Sequence, residues 1–282
     1  MKTLYVTDLD GTLLEPDSTL APESARLLAE LTAGGALITC ATARTPATVQ
    51  PLLAPARLHV PAIVMTGAAL WDWQDKLIID STVIPAPLRH TLDAAFASIH
   101  VTPFIYTLQN GNSDPTTPIL SVWHANATLT DAEQAFVQPR AHLALKRFYI
   151  GSKAPNEADA ILYFAMGRRQ LIEPLAETIR ATTCCSVHAY PDNYLPDTYI
   201  IEVLGPEVSK ARAVLALKRR LGADRLVVFG DNLNDLPMMA VADLAVAAPT
   251  ALPPVRTAAH LTLPPAPTSP IPPFIAQDLH IL

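Results

Sequence analysis

Two aspartates near the start, Asp8 and Asp10, followed directly by Gly11 and Thr12, are the residues whose types and spacing most readily do chemistry. Side chains alternate along a strand, so residues two apart begin on one side and Asp8 and Asp10 aim their carboxylates at one small volume. Like charges at that range repel. The pair is tolerable if a cation neutralises it, or if one carboxyl keeps a proton while the other stays ionised. The first arrangement is a metal site and the second an acid–base pair. An Asp-x-Asp-Gly run is also an ordinary turn, so these residues alone leave the matter open. A second acidic stretch, Gly230-Asp231-Asn232-Leu233-Asn234-Asp235, follows an apolar run much later in the chain. On its own it is a helix-capping turn as readily as a metal site. Lys210 alone reads as a solvated lysine and Thr42 alone as a helix cap.

The elements that must position these groups follow a simple rhythm. Leu4-Tyr5-Val6 suits a buried parallel strand, which places Asp8 and Asp10 at its carboxyl end, the edge where open α/β sheets bind ligands. Leu27, Leu28 and Leu31 recur at helical spacing before Gly34-Gly35. Strand Ala36–Ala41 then ends at Thr42-Ala43-Arg44, a short helix follows in which Pro51 is a potential break, and Pro61–Met65 forms a third strand ending in Thr66-Gly67-Ala68. Repeated strand–helix units predict a doubly wound parallel sheet. The rhythm stops after Leu70, where a hairpin containing Trp71 and Trp73 is expected, and resumes with a helix from Ser209 and the strands Leu226–Phe229 and Leu244–Ala247. Residues 85–203 between them mix short strands and helices, which predicts an inserted α+β domain in a core of residues 1–84 and 204–282. Asn110–Asp114 and Ser152–Asn156 are its expected loops, Cys184-Cys185 an expected buried strand, and the proline-rich Pro264–Pro273 an extended surface tail.

Composition removes several classes of function. With 20 Lys and Arg against 26 Asp and Glu the chain carries a net charge of -6, which provides no footprint for nucleic acid or an anionic membrane. Half of the residues are hydrophobic, enough for a sizeable core, yet no apolar run approaches the roughly 20 residues of a membrane span. The three cysteines have no zinc spacing and the histidines form no cluster, so reduced thiols and a cytoplasmic location are expected. The start at Met1-Lys2 runs directly into the expected first strand, so no cleaved leader is expected.

Taken together, Asp8-Leu9-Asp10-Gly11-Thr12, Thr42, Lys210 and Gly230-Asp231-x-x-Asn234-Asp235 resemble the four motifs of the haloacid-dehalogenase-like phosphatases. The insertion and the return through Ile201-Glu202-Val203 to Lys210 look like the Cof-type branch, a Rossmann-like core with an α+β cap. The resemblance implies a magnesium-dependent phosphatase acting on a small phosphorylated metabolite such as a sugar or polyol phosphate. Asp8 would be the nucleophile, forming an aspartyl-phosphate, and Asp10 the acid for the leaving alcohol and then the base for water. Magnesium would be held by Asp8, the Asp10 carbonyl and Asp231. Thr42, Lys210, Asn234 and amides near Leu9 and Ala43 would hold the phosphoryl group, with Gly11, Thr12, Arg44, Gly230 and Asp235 in support. A phosphomutase and a non-catalytic binding protein on the same fold are the alternatives. Three features depart from the family pattern: Ala43 stands where glycine is usual, Thr66 stands where asparagine is frequent, and the usual glycine-containing stretch near the C-terminus is not evident in Pro264–Pro273. The cap segment Tyr190-Pro191-Asp192-Asn193-Tyr194 is expected to be a loop that helps select the leaving group. The sequence is silent on oligomeric state.

Overall fold

The computed structural model describes residues 1–109, 119–192, 195 and 197–280. In chain order the elements are β1 (Thr3–Thr7), α1 (Pro22–Ala33), β2 (Leu37–Cys40), α2 (Pro46–Leu53), β3 (Ala62–Val64), β4 (Ala69–Asp72), β5 (Leu77–Ser81), α3 (Ala86–Ser98), β6 (Phe104–Leu108) and β7 (Leu120–His124). They continue with α4 (Asp131–Val137), β8 (Lys146–Ile150), β9 (Ala160–Gly167), α5 (Arg169–Thr182), β10 (Cys185–Pro191), β11 (Tyr199–Pro206), α6 (Lys210–Leu221), β12 (Arg225–Gly230), α7 (Leu236–Met239), β13 (Leu244–Ala247), α8 (Pro253–Ala258), β14 (Leu261–Thr262) and α9 (Ile271–Asp278). The chain divides into two compact units, residues 1–80 with 209–282, and residues 81–208.

The first unit is built on a parallel sheet in the order β14-β13-β12-β1-β2. A three-stranded sheet, β3-β4-β5, meets its edge through one parallel bridge between Ala41 and Ile63. The strands are continuous apolar runs because both faces are covered: Leu4, Val6, Leu226 and Val228 join Val214 and Leu217 of α6 in one cluster of fully buried side chains. Register matters most for function. Thr7 of β1 pairs with Cys40 of β2 on one side and Phe229 of β12 on the other. The residues that follow, Asp8, the Ala41-Thr42 loop and Gly230-Asp231, therefore leave the sheet at one level and one edge.

The second unit holds a six-stranded sheet in the order β10-β11-β9-β6-β7-β8. Its pairings are antiparallel except for β7 with β8. Phe96 of α3 and Ile172, Leu175 and Ile179 of α5 bury against Tyr163, Ala165, Ile201 and Val203.

Several sequence expectations need correction. The C-terminal segment does not run extended over the surface: it supplies α8, β14 and α9, and Ile271 and Ile275 of α9 have no exposed surface. Its prolines fall where a helix has no amide bond to lose. Pro253 and Pro254 open α8, and Pro272 and Pro273 lie in the first turn of α9. Phe274 packs edge-on against Phe229, and Asp278 accepts from Tyr5 Oη at 2.7 Å and from Arg225. Helix α2 runs through Pro51 to Leu53. In the second unit Cys185 opens β10 and is buried, whereas Cys184 is exposed. Tyr190 and Pro191 are the end of β10 rather than loop. Asn193, Tyr194 and the stretch 110–114 lie outside the described residues.

Candidate active site

The site is assembled at the carboxyl edge of β1, β2 and β12 by residues that follow those strands, completed by the start of α6. Asp8 leaves β1 with extended backbone (φ -66°, ψ 169°), and an irregular helical turn, Leu9–Leu13, follows it. Gly11 in that turn has φ 77°, and a side chain there would drive into the Asp231 carboxylate, so the turn and the second acidic stretch touch only because position 11 is glycine. Thr12 Oγ1 donates to Asp231 Oδ1 at 2.8 Å.

Lys210 is the first residue of α6, whose N-cap Ser209 accepts from the Arg212 amide. It is only 1% exposed. Its Nζ donates to Asp8 Oδ1 at 2.6 Å and to Asp235 Oδ1 at 2.7 Å. The second oxygen of Asp235 accepts from the Asp231 and Asn232 amides at 3.0 and 3.1 Å. Asp235 is therefore committed on both oxygens and acts as the anchor that aims the ammonium at Asp8.

Oxygens of Asp8, Asp231 and Asp235 lie within 4.8 Å of one another. Three carboxylates face one ammonium, leaving two negative charges in a site that excludes most water. Burial pushes the Asp8 carboxyl up to about 8; Lys210 opposes this, and Asp235 and Asp231 reinforce it. Burial also raises Asp231, to about 6, against the hydrogen bond from Thr12 and with the help of Asp235. Asp235 and Asp8 hold Lys210 protonated against the cost of burying it. A divalent cation answers this surplus in charge and in ligand type, since hard cations take carboxylate and carbonyl oxygens. The donor set fits magnesium.

Asp10 turns away from this cluster. Its carboxylate is gripped by Arg44, which donates Nε at 2.7 Å and a terminal nitrogen at 2.6 Å, and Ser18 Oγ lies 3.3 Å away. Burial pushes the Asp10 carboxyl up, but the Arg44 guanidinium outweighs it and holds the group below the usual carboxylate range. Nothing in the spacing of Asp10, Ser18 and Arg44 announced this pairing.

The remaining expected residues divide. Thr42 is buried on the loop after β2, where its hydroxyl accepts from the Arg44 amide at 3.1 Å. Ala43 is half-buried and lacks a positive φ, so its methyl group imposes no left-handed strain where glycine is usual. Leu9 is fully buried, and Gly230 closes β12. Asn234 is half-buried, and its Oδ1 has no hydrogen-bond partner. An amide can be turned end for end, so this orphaned position can present a donor to an incoming oxygen.

The pattern of a family described as haloacid dehalogenase-like hydrolase matches residues 5–275. The chain belongs to the haloacid dehalogenase-like hydrolases. Among curated relatives, this hydrolase is 24% identical to the pyridoxal phosphate phosphatase YbhA of Escherichia coli (strain K12), over 96% of this chain and 97% of that one. It is 25% identical to an HMP-PP phosphatase of Serratia proteamaculans (strain 568), over 91% and 87%. Two solved structures share the fold at a TM-score of 0.73. One is a haloacid dehalogenase-like hydrolase from Bacteroides thetaiotaomicron, 21% identical over 93% of this chain and 94% of that one. The other is a sugar phosphatase of HAD subclass IIB, 19% identical over the whole of both chains. The α/β core with a separate, mainly antiparallel second domain is thus the fold of this hydrolase family, as the sequence motifs implied.

Proposed function

We propose that the protein is a magnesium-dependent phosphatase that hydrolyses a small phosphorylated metabolite, such as a sugar or polyol phosphate, through an aspartyl-phosphate on Asp8. The observation that carries this reading is the Lys210 ammonium, fixed at 2.6 Å from Asp8 with Asp231 in the same cluster. A carboxylate nucleophile, a fixed cation beside it and a second acidic group for a metal are the parts phosphoryl transfer needs. The named relatives act on small phosphorylated compounds, which supports the substrate class.

Asp8 attacks phosphorus with the oxygen that Lys210 leaves available, and Lys210 offsets charge on the phosphoryl oxygens. Thr42 and Asn234 hydrogen-bond those oxygens. Asp8, Asp231 and the Asp10 carbonyl would hold magnesium, which would neutralise the phosphoryl group as it approaches the carboxylates. Asp10 gives its proton to the leaving oxygen and later takes one from water. In the arrangement held by Arg44 its carboxylate is ionised, so the proton-transfer role requires Asp10 to leave Arg44 and take up a proton from water before it meets the leaving group. The inserted unit, residues 81–208, is on this reading the specificity domain.

A panel of sugar, polyol and vitamin phosphates, assayed for released phosphate with magnesium and with a chelator, tests this function. Magnesium-dependent release from at least one member is expected. Binding without turnover across the panel favours a binding protein, and isomerised phosphosugar without free phosphate favours a mutase.

A further inference from the structure

The turn between β3 and β4 is the most strained segment beside the site. Met65, Thr66 and Gly67 have φ of 52°, 59° and 99°, three left-handed residues in succession, two of them not glycine and one β-branched. Met65 and Thr66 are also almost wholly buried. Strain of this kind persists only where the surroundings over-determine it.

Two contacts over-determine it here. On one side, the Met65 amide donates to the Arg44 carbonyl at 3.0 Å and the Thr66 amide to the Thr42 carbonyl at 2.9 Å. Those bonds fasten the turn to the loop that carries Thr42 and Arg44. On the other side, Gly67 lies against the backbone of the α6 N-cap. A Cβ on Gly67 would stand 2.5 Å from the Ser209 carbonyl oxygen, 2.7 Å from its carbon and 3.2 Å from the Lys210 nitrogen. These are backbone atoms, which cannot swing aside as a side-chain tip can.

We infer that the Met65–Gly67 turn is the spacer that sets the position of Lys210 relative to Asp8 and Thr42, with Gly67 as a positioning residue. It touches no reacting group. It fixes how close α6 begins to the Thr42 loop, and the Lys210 ammonium has no slack to absorb a shift, being held at 2.6 and 2.7 Å by Asp8 and Asp235. The role of the spacer in turnover rests on the phosphatase reading above, whereas its role in placing Lys210 does not.

The test compares Gly67→Ala with Gly35→Ala. Gly35 also has a left-handed backbone, φ 91°, but a Cβ there meets nothing within 4 Å. Both variants acquire the strain of a left-handed alanine, and only Gly67→Ala pushes on Ser209. Both are expected to melt at lower temperature. Gly67→Ala alone is expected to lose about 10- to 100-fold in kcat, with KM changed by about twofold or less, as displacing a catalytic cation by roughly 1 Å implies. Its crystal structure is expected to show the Lys210 ammonium drawn away from Asp8. Equal kcat in the two variants, or unchanged Lys210 contacts in the Gly67→Ala crystal, overturns the inference. If Gly67→Ala does not fold, Thr66→Gly serves instead: it relieves the strained φ, adds no atom and lets the spacing relax. It is expected to melt near the parent temperature with kcat lowered about threefold or more, and parental kcat overturns the proposal. A wild-type protein without phosphatase activity counts against the functional reading alone, and the crystal positions of Lys210 then decide the spacer.

Discussion

The Lys210 ammonium donates to Asp8 Oδ1 at 2.6 Å across a distance of 202 residues in sequence, with both side chains almost wholly buried. The contact joins the end of β1 to the first residue of α6 and makes one unit of two distant motifs. Removing the lysine leaves Asp8 and Asp235 buried without their cation, which costs about 3–5 kcal/mol of stability. Lys210→Met is expected to lose stability on that order in urea titration. Its turnover is expected to fall by about 10²–10³ or more, the loss typical of a missing charge-stabilising donor.

The surplus of carboxylates gives the metal-free protein a definite pH dependence. Burial pushes Asp8 up to about 8 and Asp231 up to about 6 in the folded chain, above the ordinary carboxylate value of 3.8. At these two carboxyls the folded chain therefore binds more protons than the unfolded chain from about pH 4 upward, and their contribution to stability falls as pH rises; above about pH 7 Lys146, lowered to about 7 by burial, opposes the trend. In a chelator, melting temperature is expected to drop from pH 5 to pH 7. Magnesium, which competes with those protons, is expected to raise it more at pH 8 than at pH 6. A melting temperature that rises with pH under chelation contradicts the assignment of these groups.

Arg44 sets how readily Asp10 holds a proton. Its guanidinium keeps the carboxyl low against the opposing effect of burial, so Arg44→Met is expected to let Asp10 remain protonated to higher pH. The alkaline limb of the kcat/KM profile is expected to move upward relative to the parent. An unmoved limb dissociates Asp10 from proton delivery.

Thr66 occupies a left-handed backbone, φ 59°, that asparagine tolerates better than a β-branched residue. Thr66→Asn keeps the geometry of the turn while relieving part of its cost. It is expected to stabilise the protein by about 1 kcal/mol and to leave kcat unchanged, read by thermal melting and steady-state kinetics.

The C-terminal helix is tied to the core by Asp278, which accepts from Tyr5 Oη and from both terminal nitrogens of Arg225. Asp278→Ala removes all three bonds and is expected to cost about 1–3 kcal/mol in urea titration while sparing kcat, because the helix lies outside the site.

What the sequence disclosed follows the physics of each feature. The strands of the parallel sheet were legible because burial on both faces makes them unbroken apolar runs, and Asp8, Thr42 and Asp231 were legible as residues just past those runs. Lys210 gained meaning only through its company, since one lysine in a helix says nothing by itself. The grip of Arg44 on Asp10 was hidden because it depends on where two side chains turn after leaving different strands. Strand β8 was missed because Lys146 and Arg147 break its apolar pattern. The C-terminal helices were missed because proline marks both a loop and the opening turn of a helix, and local composition does not separate the two. The left-handed turn at Met65–Gly67 was hidden for a similar reason: its bonds to the Thr42–Arg44 loop and its packing against Ser209, both distant in sequence and set by tertiary structure, dictate it.

The central claim is that Asp8 carries the phosphoryl group. Rapid acid quench of the enzyme turning over its best substrate with magnesium, followed by peptide mass analysis, tests it directly. A peptide containing Asp8 that has gained one phosphoryl group, and that is absent from Asp8→Asn, is the predicted result. Full turnover in Asp8→Asn, or a phosphoryl group carried on another residue, contradicts it.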